Sequence, residues 1–244
     1  MKNTLHIFGL HPIIEAINSG KTIEKIYIQK GLSGHLFSEL NSLIKKHTIS
    51  SSYVPVEKLN TLLKNQNHQG VVAKLSEISY ANLEEVLKQN HIGKPLYLLL
   101  DQITDVRNFG AILRTAECTG TTAVIIPNQG SAQLNSDAIK TSAGAAFKVP
   151  ICKVNHLLDA VYMLQAEGIQ IMAITEKTNE SIYQLDFTAP VAIVMGSEHK
   201  GISNTILKIA DKKGKLPMLG AIESLNVSVA CGAVLYEMVR QRSL

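Results

Sequence analysis

Residues 96–127 read LYLLLDQITDVRNFGAILRTAECTGTTAVIIP. Leu96–Leu100 is apolar or aromatic at every position, Asp101 closes the run, a helical spacing follows Asp105, and a second apolar run, TAVIIP, ends at Pro127. A strand that is apolar throughout has both faces covered, which is the condition of a parallel sheet packed between helix layers. The alternation continues through a helix near Asp137, VPICKV (149–154), a helix over Leu157–Ala166, IQIMAI (169–174) and VAIVMG (191–196). A helix from Ser203, a strand at KLPM (215–218) and a long helix over Leu225–Arg242 complete it. The pattern predicts an α/β domain over residues 95–244 with a mostly parallel sheet, whose ligand sits beyond the carboxyl ends of the strands.

Upstream, apolar periodicity predicts helices over 11–18, 36–46 and 56–63 and strands over 23–28, 51–54 and 70–75, a small α/β domain spanning 1–75. Residues 76–94 are polar, carry one weak helical pattern (Leu83, Val86, Leu87) and end in Gly93-Lys94-Pro95, which marks a linker. Charge divides along the same boundary. Residues 1–75 hold nine lysines and four glutamates, net +5, whereas 76–244 hold fifteen basic and sixteen acidic residues, net −1. A small basic domain beside a near-neutral larger one suits a polyanion; a lysine-rich surface without a ligand is the plainer reading.

The hydrophobic share of 45% suits a chain with a substantial core. No apolar run approaches the roughly 18 residues of a membrane span, and charged and imidazole side chains interrupt the opening segment, so the expectation is a soluble cytoplasmic protein. Cys118, Cys152 and Cys231 stand far apart among apolar or small neighbours, which reads as buried free thiols; no metal site is expected.

Three segments depart from core-building logic, each after a predicted strand. In the first, Asn108, Gly110 and Arg114 open a helix, where Asp105 or Asn108 could serve as a cap and Arg114 as a surface charge. In the second, VAIVMGSEHKGIS, two glycines stand five apart, but Ile202-Ser203 replaces the Lys-Ser/Thr that a phosphate-binding Walker loop requires. In the third, Glu223, Ser224, Asn226 and Ser228 crowd the head of an otherwise apolar helix; Ser224 is a candidate N-cap. Ala230, Cys231, Gly232 and Ala233 suggest close packing of that helix on another backbone, such as its own copy in a dimer.

Together the three resemble the SpoU/TrmH branch of the knotted SPOUT methyltransferases, over essentially the whole chain. The family's Asn-x-Gly-x-x-x-Arg stands as Asn108, Gly110 and Arg114; its Gly-x-Glu-x-x-Gly as Gly196, Glu198 and Gly201; its Pro-Met and Ser-Leu-Asn-Val-Ser-Val-Ala as Pro217-Met218 and Ser224–Ala230. Through IFGLHPIIEAI and NHQGVVA, the N-terminal segment is similar to the L30e-like RNA-binding domain of the family's 23S rRNA guanosine-2′-O-methyltransferases.

The resemblance implies a deep C-terminal trefoil knot, a homodimer with active sites completed across its interface, and S-adenosylmethionine held mainly by backbone at Met195, Gly196, Leu216, Met218, Ser224 and Leu225. It implies catalytic roles for Asn108, Arg114, Glu198 and Asn226 in methylating a ribose 2′-hydroxyl of 23S rRNA. A guanidinium stays protonated and accepts nothing, so Arg114 suits a phosphate and the developing alkoxide, while that phosphate or Glu198 takes the proton. Glu198 could equally hold Arg114 in place. A tRNA or antibiotic-resistance rRNA target, and a catalytically silent RNA-binding or ribosome-assembly protein, are the other readings.

Overall fold

The computed structural model describes residues 5–63, 67–75, 80–89, 91, 93–222 and 224–243. Glu223 and parts of the 76–94 segment lie outside the described residues. In chain order the elements are β1 (Leu5–Phe8), α1 (Leu10–Asn18), β2 (Ile23–Gln29), α2 (His35–Lys46), β3 (Ser51–Val54), α3 (Val56–Leu63), β4 (Val71–Leu75) and α4 (Leu83–Leu87). They continue as β5 (Leu96–Asp101), α5 (Val106–Cys118), β6 (Ala123–Pro127), α6 (Ser136–Thr141), β7 (Ile151–Val154), α7 (Leu157–Ala166) and β8 (Gln170–Ile174). The last are β9 (Val191–Gly196), α8 (Asn204–Ile209), β10 (Lys212–Gly214) and α9 (Val227–Arg242). Two compact units emerge, Met1–Ser79 with Leu134–Lys148, and Tyr80–Gln133 with Val149–Leu244.

The first unit is built on a sheet of order β1-β4-β2-β3, in which β4 runs antiparallel to both β1 and β2. Strand β1, Leu5–Phe8, adds a fourth strand to the three read from the sequence. It pairs from Leu5 with Leu75 to Phe8 with Val72 and buries Ile7 and Phe8. Leu134–Lys148 lies inside the span read as the second domain but groups with this first unit. There α6 packs on β1, Lys140 Nζ lies 4.5 Å over the Phe8 ring, and Lys140 donates to the Asn67 carbonyl at 2.8 Å. Gly144 makes the approach possible: at φ +89 it sits so near α1 that a Cβ would lie 2.4 Å from Glu15 Cβ.

The second unit carries a sheet of order β10-β8-β9-β5-β6-β7, parallel at every pairing. All of β5 is buried, as its unbroken apolar run predicts. Residues 80–89 do not hang free: Ala81 bridges Cys152, and α4 places Leu83 and Val86 in the core.

Three expectations need correction. The strand read at KLPM is β10, Lys212–Gly214, pairing with Met172–Ile174; Leu216 and Met218 are apolar because they line a cleft, not because they build the sheet. The last helix begins at Val227 with Asn226 as N-cap, its Oδ1 accepting from Ser228 N at 3.0 Å, so Ser224 is not the cap. Cys118 is exposed; Cys152 and Cys231 are buried, and burial pushes their thiols up to about 11 and about 12.

Helix α9 is apolar on two sides. Cys231, Val234, Leu235 and Met238 face the core, while Val229, Ala233 and Tyr236 form an exposed stripe. Its last turn clamps the chain leading into both β5 and β9, because the Arg242 guanidinium donates to the carbonyl of Lys94 before β5 and to those of Phe187 and Ala189 before β9, at 2.6–2.8 Å. No described helix is long and apolar enough to cross a membrane.

Candidate active site

The site forms where the chain leaves the carboxyl ends of β5 and β9 and enters α9. After β5, Asp105 caps α5 by accepting from Asn108 N at 2.7 Å, which settles the cap and leaves the Asn108 side chain free for other partners. After β9 the chain turns sharply, Gly201 N donating to Ser197 O at 2.8 Å. A Cβ on Gly196 would lie 2.2 Å from the Gly201 carbonyl carbon and 2.3 Å from Ile202 N, so the turn closes only with glycine there. Buried Asp101 ties the turn to β5 by accepting from Ser203 N at 2.7 Å.

Three segments distant in sequence converge on one oxygen. Glu198 Oε1 accepts from Asn226 Nδ2 at 2.9 Å, from Val227 N at 3.0 Å and from Asn108 Nδ2 at 3.5 Å. Asn226 Nδ2 also donates to Asn108 Oδ1 at 3.0 Å, closing a triangle. Hydrogen bonds to an ionised acceptor are the stronger kind, so the carboxylate organises both amides rather than the reverse.

Two clefts flank this cluster, and Ser197, Glu198 and Val227 border both. The smaller is lined by Thr104, Asp105, Asn108 and His199. The other is lined by Met195, Gly196, Leu216, Met218, Ser224 and Leu225, all six positions expected for a methyl donor. Its walls are largely apolar, and three polar residues there escaped the sequence reading: Thr175 and Glu176 beyond β8, and Lys215 beyond β10. The signal for the first two was available, since both follow a strand's carboxyl end.

Arg114 stands apart. It is exposed on α5, borders neither cleft, and makes no hydrogen bond or ion pair with any described residue. Six residues turn a helix by about 600°, so Asn108 and Arg114 leave α5 roughly 120° apart. Glu198 therefore has the two asparagines as partners, not Arg114. His199 is exposed. Among the described residues no group of three or more His, Cys, Asp or Glu is placed to hold a metal ion.

Residues 95–236 match the SpoU rRNA Methylase family, and residues 6–81 match the domain described as RNA 2′-O ribose methyltransferase substrate binding. The chain belongs to the SpoU rRNA methylase family. This SpoU protein is 34% identical to the 23S rRNA (guanosine-2′-O-)-methyltransferase RlmB of Ralstonia nicotianae, covering 100% of its own length and 98% of the other. Its fold is shared with the SpoU methyltransferase AviRb from Streptomyces viridochromogenes in complex with AdoMet, at a TM-score of 0.83 and 26% identity over 98% of this chain and 91% of that one. The A. aeolicus TrmH/SpoU tRNA modifying enzyme matches 66% of this SpoU chain and 81% of its own, at 34% identity and a TM-score of 0.56.

Proposed function

We propose that this SpoU protein is a cytoplasmic homodimer that methylates the ribose 2′-hydroxyl of a guanosine in 23S rRNA with S-adenosylmethionine as donor. The observation that carries the reading is the shared position of Glu198, whose carboxylate joins the three motifs at the border between the donor-type cleft and the Asn108 cleft. Similarity to RlmB supports the rRNA target, and the AdoMet complex of AviRb supports the donor.

The cleft residues suit that donor. Met195, Leu216, Met218 and Leu225 supply apolar walls for an adenosine, and the backbone at Gly196, with Thr175, Glu176 and Lys215, supplies polar contacts. When bound, S-adenosylmethionine supplies an electrophilic methyl carbon on a sulfonium. The chain's own work is alignment and proton handling. Asn108 and Asn226 orient the ribose through amide groups held by Glu198 Oε1. No described residue donates to Glu198 Oε2, which leaves that atom, or the phosphate held by Arg114, to take the hydroxyl proton.

Arg114 acts at the partner subunit's site in this reading. Its exposure on α5, together with the exposed apolar stripe Val229, Ala233 and Tyr236 on α9, the helix that packs on α5, supports a dimer face that carries the guanidinium across. The trefoil knot belongs to the same reading, formed from the second and third motif segments that border the donor cleft. The net charge of +5 over residues 1–75 supports RNA capture by the first unit, with affinity falling steeply as salt rises. Labelled methyl transfer to 23S rRNA, measured beside tRNA, tests the proposal; label confined to tRNA overturns the target.

A further inference from the structure

A third and larger cleft, about 740 Å³, opens beyond the carboxyl ends of β5, β6 and β7. None of the three motifs accounts for its lining, which is unusually rich in carboxamides: Gln102, Asn128, Gln129 and Asn155, beside His156. No lysine or arginine borders it, and Asp101 and Asp159 do, so the cleft disfavours a phosphate and favours a neutral, hydrogen-bonding ligand. Pro127, Leu157 and Ile206 add an apolar wall. The volume falls within the range of small-ligand pockets, about 300–1,000 Å³.

The amides are arranged rather than merely present. Asn128 Nδ2 donates to Asn155 Oδ1 at 2.5 Å, and Asn128 N donates to Val154 O at 2.7 Å, so the ends of β6 and β7 are joined twice. Two carboxamides joined by one hydrogen bond leave an amide oxygen on one and an N–H on the other, an acceptor beside a donor. A nucleobase edge presents the complementary pair, which is how asparagine and glutamine side chains read bases. Gln102 connects this cleft to the motif cluster, because it also borders the cleft of Asn108 and Glu198. It holds a left-handed backbone, φ +59, which a side-chain-bearing residue adopts at a cost that clusters at binding sites.

We propose that the Asn128–Asn155 cleft binds the base of an unpaired nucleotide next to the methylated one, and so contributes to the choice of RNA target. This rests on the RNA methyltransferase reading. Single-stranded RNA is recognised through splayed bases whose edges are hydrogen-bonded and whose faces lie against apolar or aromatic groups, and this cleft offers both. Two adjoining clefts that share Gln102 then take two consecutive nucleotides, one for chemistry and one for selection.

The test is methyl transfer to a large-subunit rRNA transcript by the wild type, by the double variant Asn128→Ala, Asn155→Ala, and by the nearly isosteric Asn155→Asp, which removes the donor. Thermal melting and S-adenosylmethionine binding are measured alongside to confirm an intact fold. The expected result is a KM for RNA raised about tenfold or more with kcat within about threefold, and donor binding unchanged. Transcripts altered at either neighbour of the methylated nucleotide are discriminated by the wild type and accepted more evenly by the variants. Variants that keep the wild-type KM and discrimination while still transferring methyl overturn the cleft proposal alone. A wild type that transfers methyl to no RNA overturns the functional reading, and the cleft proposal with it.

Discussion

Asn226 Nδ2 donates to Glu198 Oε1 at 2.9 Å, although the two residues stand 28 positions apart on different motif segments. The same asparagine caps α9, its Oδ1 accepting from Ser228 N and Oγ at 3.0 and 2.6 Å. One side chain thus starts the last helix and fixes the carboxylate that the other motifs share. The amide is required because it must donate on one side and accept on the other.

Asn226→Asp separates the two tasks. It keeps the capping acceptor but sets a second carboxylate against Glu198, so the helix start survives while the cluster opens. The expected result is a loss of kcat/KM of about a hundredfold or more with only a modest fall in melting temperature. Activity within about threefold of wild type by the same assay contradicts the shared-carboxylate account.

Gly196 and Gly220 make opposite predictions. A Cβ on Gly196 meets backbone atoms at 2.2–2.5 Å, whereas Gly220 has nothing within 4 Å. Gly196→Ala is expected to destabilise the chain by about 1–3 kcal/mol and to weaken donor binding severely, read by melting and calorimetry. Gly220→Ala is expected to leave stability and donor binding within error.

Arg114 in trans predicts complementation. In a mixture of Arg114→Ala and Glu198→Ala chains, each inactive alone, random pairing gives heterodimers in which one site has both residues intact. Activity returns to roughly a quarter of the wild-type value, since half the dimers have one good site of two. A mixture no more active than its parts places Arg114 in its own subunit's site.

The first unit carries a pH sensor of its own stability. His68 Nδ1 accepts from Gly70 N at 3.0 Å, so its proton sits on Nε2, facing Asn60 Oδ1 at 3.0 Å; the folded ring is neutral. Burial, with Lys140 adding to it, lowers its pKa below the usual 6.5, and His6 moves the same way through burial and Lys74. The unfolded chain therefore binds protons that the folded chain refuses. The resulting stability is present above about pH 6.5 and is lost as pH falls through the folded value. Circular-dichroism melts at about pH 7.5 and pH 5 should show the lower melting temperature in acid, with a smaller difference in His68→Gln.

The catalytic half was legible because β5 and β9 are apolar throughout and the residues after them are not. What stayed hidden has physical reasons. Leu216 and Met218 look like strand residues because a ligand cleft needs apolar side chains as much as a sheet does. Ser224 and Asn226 are equally good caps in sequence, and only the pull of Glu198 on Asn226 and Val227 decides between them. Leu134–Lys148 groups with a unit that ends far earlier in the chain, a long-range packing that no local pattern encodes. Motif spacing puts Asn108 and Arg114 on one helix, but helical geometry sends them to different faces, and that divergence motivates the dimer reading.

Methyl transfer from labelled S-adenosylmethionine to rRNA and tRNA purified from cells lacking this protein, followed by digestion and mass identification of the product nucleoside, reads donor, target and methylated atom in one measurement. Label is expected in 23S rRNA alone, recovered as a single 2′-O-methylguanosine. Label on a base, on another nucleoside, or in tRNA alone contradicts the proposed function.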